Sequence, residues 1–345
     1  MRSSLKDIAE RLNVSIAAVS WTLSGQGDKR RIGREVQKRI LAYAEEINYR
    51  PNYIAKGLQT GQTGILGLIV PDITDSFYSS IARQMEIDAE ERGYSLMICS
   101  SEASQDREDR LLSTFRSRQI DGIVIASVEM SDSRIKESFE ESFPIVTFDR
   151  LLPNTSYNSI MIDNVEASRH VVASMIACGA RRIAFITTNS HLQEMKDRRR
   201  GYEKALREAG IEPNEGLIGD ICFQKKEQET FSVLDAMLQH CPDVDGFFFA
   251  THVLAVETFY YFHERGININ SGYQLGCIHS EKTLKAFAPQ MKVTHLPVED
   301  ISREAIRIVV ECIQCFHKGE YRQPEHLILE CVEENNEKRQ SPPSP

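Results

Sequence analysis

Long apolar runs are missing from this chain of 345 residues. Although 41% of its residues are hydrophobic, no window approaches the ~18 apolar residues of a membrane span. It also lacks a charged-then-apolar leader: Met1-Arg2-Ser3-Ser4 runs straight into a helical pattern, and a cytoplasmic protein is expected. Cysteine is sparse, with eight residues in the whole length, and implies no disulfide framework. The one close pair, Cys312-Ile313-Gln314-Cys315, has no second Cys/His pair at matching spacing. It reads as two small buried side chains rather than a zinc or redox centre. Catalytic signatures are absent as well: there is no Gly-x-x-x-x-Gly-Lys loop, no Gly-x-Ser-x-Gly elbow and no His-Glu-x-x-His helix. The expectation is a protein that is not an enzyme and needs no metal or cofactor.

Positive charge is in deficit, and the net charge of −9 taken alone argues against a nucleic-acid partner. Its distribution reverses that conclusion. Residues 1–61 carry 11 Lys+Arg against 6 Asp+Glu, and the remainder 30 against 44. A basic head on an acidic body is expected when one segment alone meets phosphates.

That head is helical. Leu5, Ile8, Ala9 and Leu12 fall on one face at 3.6-residue spacing. Ser15 is a natural N-cap for a short second helix, which turns Val19 and Leu23 inward and Ile16, Ala17, Ser20 and Trp21 outward before Gly25 stops it. A third helix over 34–47 repeats the spacing at Val36, Ile40 and Ile47. Three short helices with a tight second connection describe a generic bundle or a helix-turn-helix, whose second helix enters a DNA major groove. Asn48-Tyr49-Arg50-Pro51-Asn52-Tyr53-Ile54-Ala55-Lys56-Gly57-Leu58 then reads as a turn, a proline start and a helical stub too short to stand alone. Thr60-Gly61-Gln62-Thr63-Gly64 is a polar linker.

Beyond the linker, strands and helices alternate. Ile65-Leu66-Gly67-Leu68-Ile69-Val70 is a continuous apolar run, as buried parallel strands require. From Arg182 the pattern restarts: Ile183-Ala184-Phe185-Ile186 is a new first strand, and Asp245-Gly246 echoes Asp121-Gly122. The two Asp-Gly strands begin 56 residues after Ile65 and 62 after Ile183, so two similar α/β subdomains are expected. Two such lobes form a cleft at the carboxyl ends of their strands.

These segments resemble the lactose-repressor (LacI/GalR) family of bacterial transcription regulators. The matches are Leu5-Lys6-Asp7-Ile8-Ala9, Val14-Ser15, Val19-Ser20, and Asn48-Tyr49-Arg50-Pro51-Asn52 leading to Ala55 and Leu58. The likeness continues through almost the whole chain. It implies an all-α helix-turn-helix headpiece at 1–50, a hinge helix and linker at 51–64, and a periplasmic-binding-protein-like core at 65–335. The core divides into lobe 1 (about 65–161 and 294–323) and lobe 2 (about 162–293 and 324–335), each a parallel sheet flanked by helices, before a disordered tail at 336–345. The tail has no heptads, and so no tetramerising helix.

The same resemblance implies a homodimer on a pseudo-palindromic DNA operator, governed by a sugar or sugar derivative between the lobes. Base readers fall on Ile16, Ala17 and Trp21, although none of the three can make a bidentate hydrogen bond. Ile16 and Ala17 suit thymine methyls, and Trp21 either meets DNA or packs inside the headpiece. Ser15, Ser20, Arg30 and Arg31 suit phosphates. Asn52, Tyr53, Ala55, Lys56 and Leu58 would lie in the minor groove, Leu58 as a wedge between base pairs. Effector contacts fall at strand ends: Asp72, Asp75, Phe77, Ser127, Asp149, Arg150, Arg198, Phe223, Thr251 and His252. Two departures stand out. Where the family has an Asn-Asp pair this chain has Thr251-His252, and where it has Gly-Phe-Asp this chain has Gly276-Cys277-Ile278 followed by His279. A non-sugar effector, a degenerate cleft and a transport-type solute-binding protein therefore stay open as alternatives.

Overall fold

The computed structural model describes residues 4–49, 61–128, 133–140, 142–150, 152, 156–188, 191–269, 272–279 and 282–333. The expected hinge contacts Asn52, Tyr53, Ala55, Lys56 and Leu58, and the tail at 336–345, lie outside these residues. The chain divides into two compact units, Met1–Thr63 and Gly64–Pro345.

In the first unit α1 (Leu5–Leu12) opens with a reciprocal cap. The Asp7 backbone N–H donates to Ser4 Oγ at 3.3 Å, and the Ser4 N–H donates to the Asp7 carboxylate at 2.7 Å. Asn13, left-handed at φ 53°, ends the helix. Ser15 Oγ accepts from the Ala18 N–H at 3.1 Å and starts α2 (Ile16–Leu23). α3 (Arg34–Glu46) follows. Ile8, Ala9, Val19, Ile40 and Ala44 form the core where the three helices meet, with Leu23 half-buried beside it. Thr22 also turns inward.

The second unit holds two six-stranded sheets. β1 (Ile65–Val70), β2 (Ser95–Ser100), β3 (Gly122–Ile125), β4 (Ile145–Phe148) and β5 (Asn158–Ile162) make the first. With β11 (His326–Leu329) its order is β11-β5-β4-β3-β1-β2, parallel throughout. β6 (Ile183–Thr188), β7 (Ile218–Ile221), β8 (Gly246–Phe249), β9 (Gln274–Ile278), β10 (Lys292–His295) and β12 (Val332–Glu333) make the second, in the order β12-β10-β9-β8-β6-β7. Only the β10–β12 pairing is antiparallel. The helices are α4 (Ser76–Glu91), α5 (Gln105–Ser117) and α6 (Ser133–Ser138) in the first half, then α7 (Asn164–Ala177), α8 (Gln193–Glu208), α9 (Lys226–His240), α10 (His252–Glu264), α11 (Lys282–Phe287) and α12 (Val298–Lys318). None of those described is long and apolar enough to cross a membrane.

The repeat extends to single hydrogen bonds. Asp121 accepts from the Gly64 N–H at 2.7 Å, and Asp245 from the Arg181 and Arg182 N–H groups at 2.8 Å. Each Asp-Gly aspartate thus pins the backbone leading into the first strand of its own lobe.

The last crossing differs from the expected return near Pro324. β11 still belongs to the first sheet, so the chain leaves that lobe only after Leu329. The cause is a polar seam invisible at short range in sequence. Glu325 takes Arg307 and Arg322 at 2.6 Å, its N–H donates to Asn158 Oδ1 at 3.0 Å, and Ser159 Oγ lies 2.9 Å from His326 Nδ1. The preceding crossing, expected near Thr294, falls just past the end of β10, at 296–297.

Candidate functional site

The first unit presents the outer face of α2. Val19 and Thr22 anchor the helix, which leaves Ile16 48% and Trp21 37% exposed, with Ala17 exposed beside them. Ser20 is half-buried, and the Ser15 hydroxyl is committed to its cap. Trp21 is therefore not a core residue. Its ring is covered on the outside by Arg30, whose guanidinium carbon sits 5.0 Å from the ring centroid. Arg31, left-handed at φ 57°, and Lys29 and Arg34 are exposed along the same connection.

In the second unit the carboxyl ends of both sheets bring side chains from the two lobes into contact. Asp75 caps α4, accepting from the Phe77 N–H at 2.8 Å. Across from it His252 Nε2, at the start of α10, lies 3.3 Å from Ser76 Oγ and 3.6 Å from Asp75 Oδ1. The Phe77 ring meets the His279 ring edge-on at 5.8 Å, and His279 meets His252 at 5.4 Å. Tyr78 OH donates to Asp149 at 2.6 Å. Arg150, next in sequence, reaches over to Glu194 of α8 at 3.8 Å. Asp149 and His279 are counterparts in the repeat, following β4 and β9. Both are left-handed, at φ 61° and 62°, and both donate their N–H to the next strand, to Ile160 O at 3.1 Å and Thr294 O at 2.9 Å.

Burial dominates the electrostatics here. It pushes the Asp75 carboxyl up, against the opposing charge of His252. Glu194 is also raised, first by burial and then by Asp149, with Arg150 and Arg198 pulling the other way. His279 is held down at about 3, by burial first and then by the charges of His252, His295 and Arg198. Its Nδ1 is buried without a hydrogen bond among the described residues. Arg198 lies beneath this surface, 4% exposed, donating from Nε to Asn164 Oδ1 and from Nη1 to Ala250 O, both at 2.7 Å.

Of the residues singled out in sequence, Asp75, Phe77, Asp149, Arg150 and His252 come together, with Arg198 below them. Four do not join that contact set. Asp72 closes its own turn, accepting from the Thr74 N–H at 2.9 Å and hydroxyl at 2.7 Å. Ser127 is buried and donates to Glu108 at 2.5 Å. Thr251 caps α10 through Leu254 at 3.4 Å. Phe223 carries Lys226 Nζ 4.8 Å over its ring. Tyr78 and Glu194 are members that sequence reasoning missed. Glu194 was reachable, because it precedes Arg198 by four residues and so shares its helical face. Tyr78 gave no signal, since its partner is 71 residues away. No metal-ligand cluster exists among the described residues.

A capped helix-turn-helix unit and a two-lobed α/β unit with facing strand ends define a class: a nucleic-acid-binding head with a ligand-binding type of body. Comparison with known proteins gives the family. Residues 4–52 match the description "Bacterial regulatory proteins, lacI family" and residues 63–306 match "Periplasmic binding proteins and sugar binding domain of LacI family". The chain belongs to the LacI family of DNA-binding transcription regulators. It is 26% identical over 340 residues to catabolite control protein A of Priestia megaterium, covering 94% of this chain and 99% of that protein. It is 29% identical over 242 residues to the sucrose operon repressor of Klebsiella pneumoniae, covering 70% and 72%. Among solved structures, the Cra transcriptional dual regulator of Pseudomonas putida in complex with fructose 1-phosphate superposes with a TM-score of 0.68. That match covers 78% of this chain and 97% of the other at 24% identity, a likeness of fold.

Proposed function

We propose that this regulator is a repressor that binds a pseudo-palindromic operator as a homodimer in the cytoplasm, controlled by a small effector between its lobes. The observation that carries the DNA half is the exposed face of α2, held out by the buried Val19 and Thr22 in a three-helix unit whose first two helices are capped. Ile16 and Ala17 meet base edges, Trp21 faces the DNA beside them, and Ser15, Ser20 and Arg31 meet phosphates. Asn52, Tyr53, Ala55, Lys56 and Leu58 are assigned to the minor groove on sequence alone, with Leu58 as the wedge.

The effector half rests on the convergence of Asp75, Phe77, Asp149, Arg150, Glu194 and His252 at facing strand ends. A sugar or sugar derivative is the class named for the matched domain and for relatives such as the sucrose operon repressor. Its hydroxyls suit the carboxylates, and Phe77 suits a ring face. Effector binding changes how the lobes close and so biases the hinge helices, which couples the two sites through a bistable element. A second reading has its own support. His252 and Ile278 stand where the family has acids, and His252 already reaches Ser76 and Asp75 across the lobes. A non-sugar effector, or a body that needs none, accords with that.

One selection separates these readings: full-length protein binding fragments of its own genome, with and without sugars and sugar phosphates. A palindromic site whose occupancy shifts with one sugar is the expected result. A palindromic site indifferent to every sugar favours the second reading, and no enriched site overturns the operator proposal.

A further inference from the structure

Building on the operator reading, we propose that Arg30, carried over the Trp21 ring, is the headpiece's base-reading donor, and that it takes a guanine. No side chain of α2 fills this role. Ile16, Ala17 and Trp21 have no pair of parallel donors, the Ser15 hydroxyl is engaged by its cap, Thr22 is buried and Ser20 is half-buried. A helix with that face can feel thymine methyls but cannot name a guanine, which requires two donors aimed at O6 and N7.

Arg30 brings such a fork to the missing place. Its guanidinium lies over the exposed Trp21 ring at 5.0 Å and makes no hydrogen bond or ion pair with a described residue. A cation–π contact uses the charge of the guanidinium and leaves N–H donors for a base edge. The connection that carries it is pinned at both ends. The Gln26 N–H donates to Trp21 O at 2.8 Å and the Arg30 N–H to Gln26 O at 2.9 Å, which fold the loop back over α2. On the other side Gln37 of α3 donates from Nε2 to Asp28 Oδ1 at 2.9 Å and to Ile32 O at 2.8 Å. The fork is thus placed before DNA arrives, and less side-chain freedom is lost when it binds. Nothing comparable holds Lys29, Arg31 or Arg34 against α2 among the described contacts. Trp21 acts here as the positioning residue, and Arg30 as the group that touches the base.

The test uses the full-length protein and selection from random-sequence DNA, for wild type and for Arg30→Ala, Arg30→Lys, Trp21→Ala and Trp21→Phe. Wild type is expected to enrich a motif with guanine at a defined position. Arg30→Ala loses that preference, with affinity for the preferred site falling about ten- to a hundredfold while sites mismatched there change little. Arg30→Lys keeps the charge and the salt dependence but loses the guanine preference, because an ammonium has no planar fork. Trp21→Ala weakens the same preference and Trp21→Phe, which keeps a ring to stack on, restores part of it. Trp21 is the chain's sole tryptophan, so its emission reports the stack directly and should change in Arg30→Ala without DNA.

Three results overturn the proposal. The first is an Arg30→Ala protein that recovers the wild-type motif with all sites weakened equally, which makes Arg30 a phosphate contact. The second is an Arg30→Lys protein that behaves as wild type, and the third a Trp21 emission unchanged in Arg30→Ala. If wild type itself enriches no motif, the operator reading falls as well, which distinguishes that failure from the other three.

Discussion

His279 sets a pH dependence at the scale of one residue. Burial, then the charges of His252, His295 and Arg198, hold its pKa at about 3, whereas an unfolded histidine titrates near 6.5. Below pH 6.5 the unfolded chain takes up a proton that the native ring refuses, so stability declines as pH falls towards 3. Between pH 7 and 5 the loss is about 1 kcal/mol, after discounting for the ring's partial contact with water. In His279→Asn, a residue that tolerates the left-handed backbone, that part of the pH dependence should vanish in urea unfolding at the two pH values. Asp75 and Glu194, raised by burial, work in the opposite direction, so the His279 part is read as the difference in slope between wild type and variant. An unchanged slope in the variant would mean the ring is not held neutral. Arg198 makes a second prediction. Its two hydrogen bonds leave Asn164 Oδ1 and Ala250 O unpaired in Arg198→Ala, which should lower unfolding stability by about 2–3 kcal/mol. Its place as a family-like residue was legible in sequence, but its partners were not, because they lie 34 and 52 residues away.

Among elements, α2 depends on a single cap. Ser15→Ala removes the acceptor for the Ala18 N–H and should cost about 1 kcal/mol of headpiece stability, read as a lower melting midpoint of the first unit. Specific DNA binding falls with it if α2 is the reading helix. The α7–α8 pair shows the opposite kind of constraint. A Cβ at Gly201 would come within 2.1 Å of the Val165 carbonyl, so Gly201→Ala must push two helices apart and should destabilise the second unit by about 1–3 kcal/mol. The helix itself was visible as a period in the sequence. The close approach that demands glycine was not, since it is made by a helix some 35 residues earlier.

For the whole molecule the charge asymmetry is the controlling quantity. A body with 44 acids against 30 bases is repelled by DNA, and residues 1–61 alone supply the attraction. Operator affinity should therefore fall linearly with salt on logarithmic axes, with a slope of several. Replacing Lys29 or Arg31 by Ala should reduce that slope by about one without altering sequence preference. Equal slopes in wild type and variants would remove those residues from the phosphate contacts.

The sequence by itself determined the helix-turn-helix pattern, the alternation of buried strands and helices, and the duplication marked by Asp121-Gly122 and Asp245-Gly246. These are local or periodic signals, written in hydrophobic spacing and turn chemistry within a few residues. Tertiary structure decided what depends on distant partners. It placed β11 in the first sheet through Glu325, Arg307 and Asn158, spread across half the chain. It joined Asp75 to His252 and Arg150 to Glu194 across the two lobes, and set Asp72, Ser127, Thr251 and Phe223 to other contacts. It also laid Arg30 on Trp21, because where a loop carries a long side chain follows from how its ends are pinned, which no residue type reveals alone.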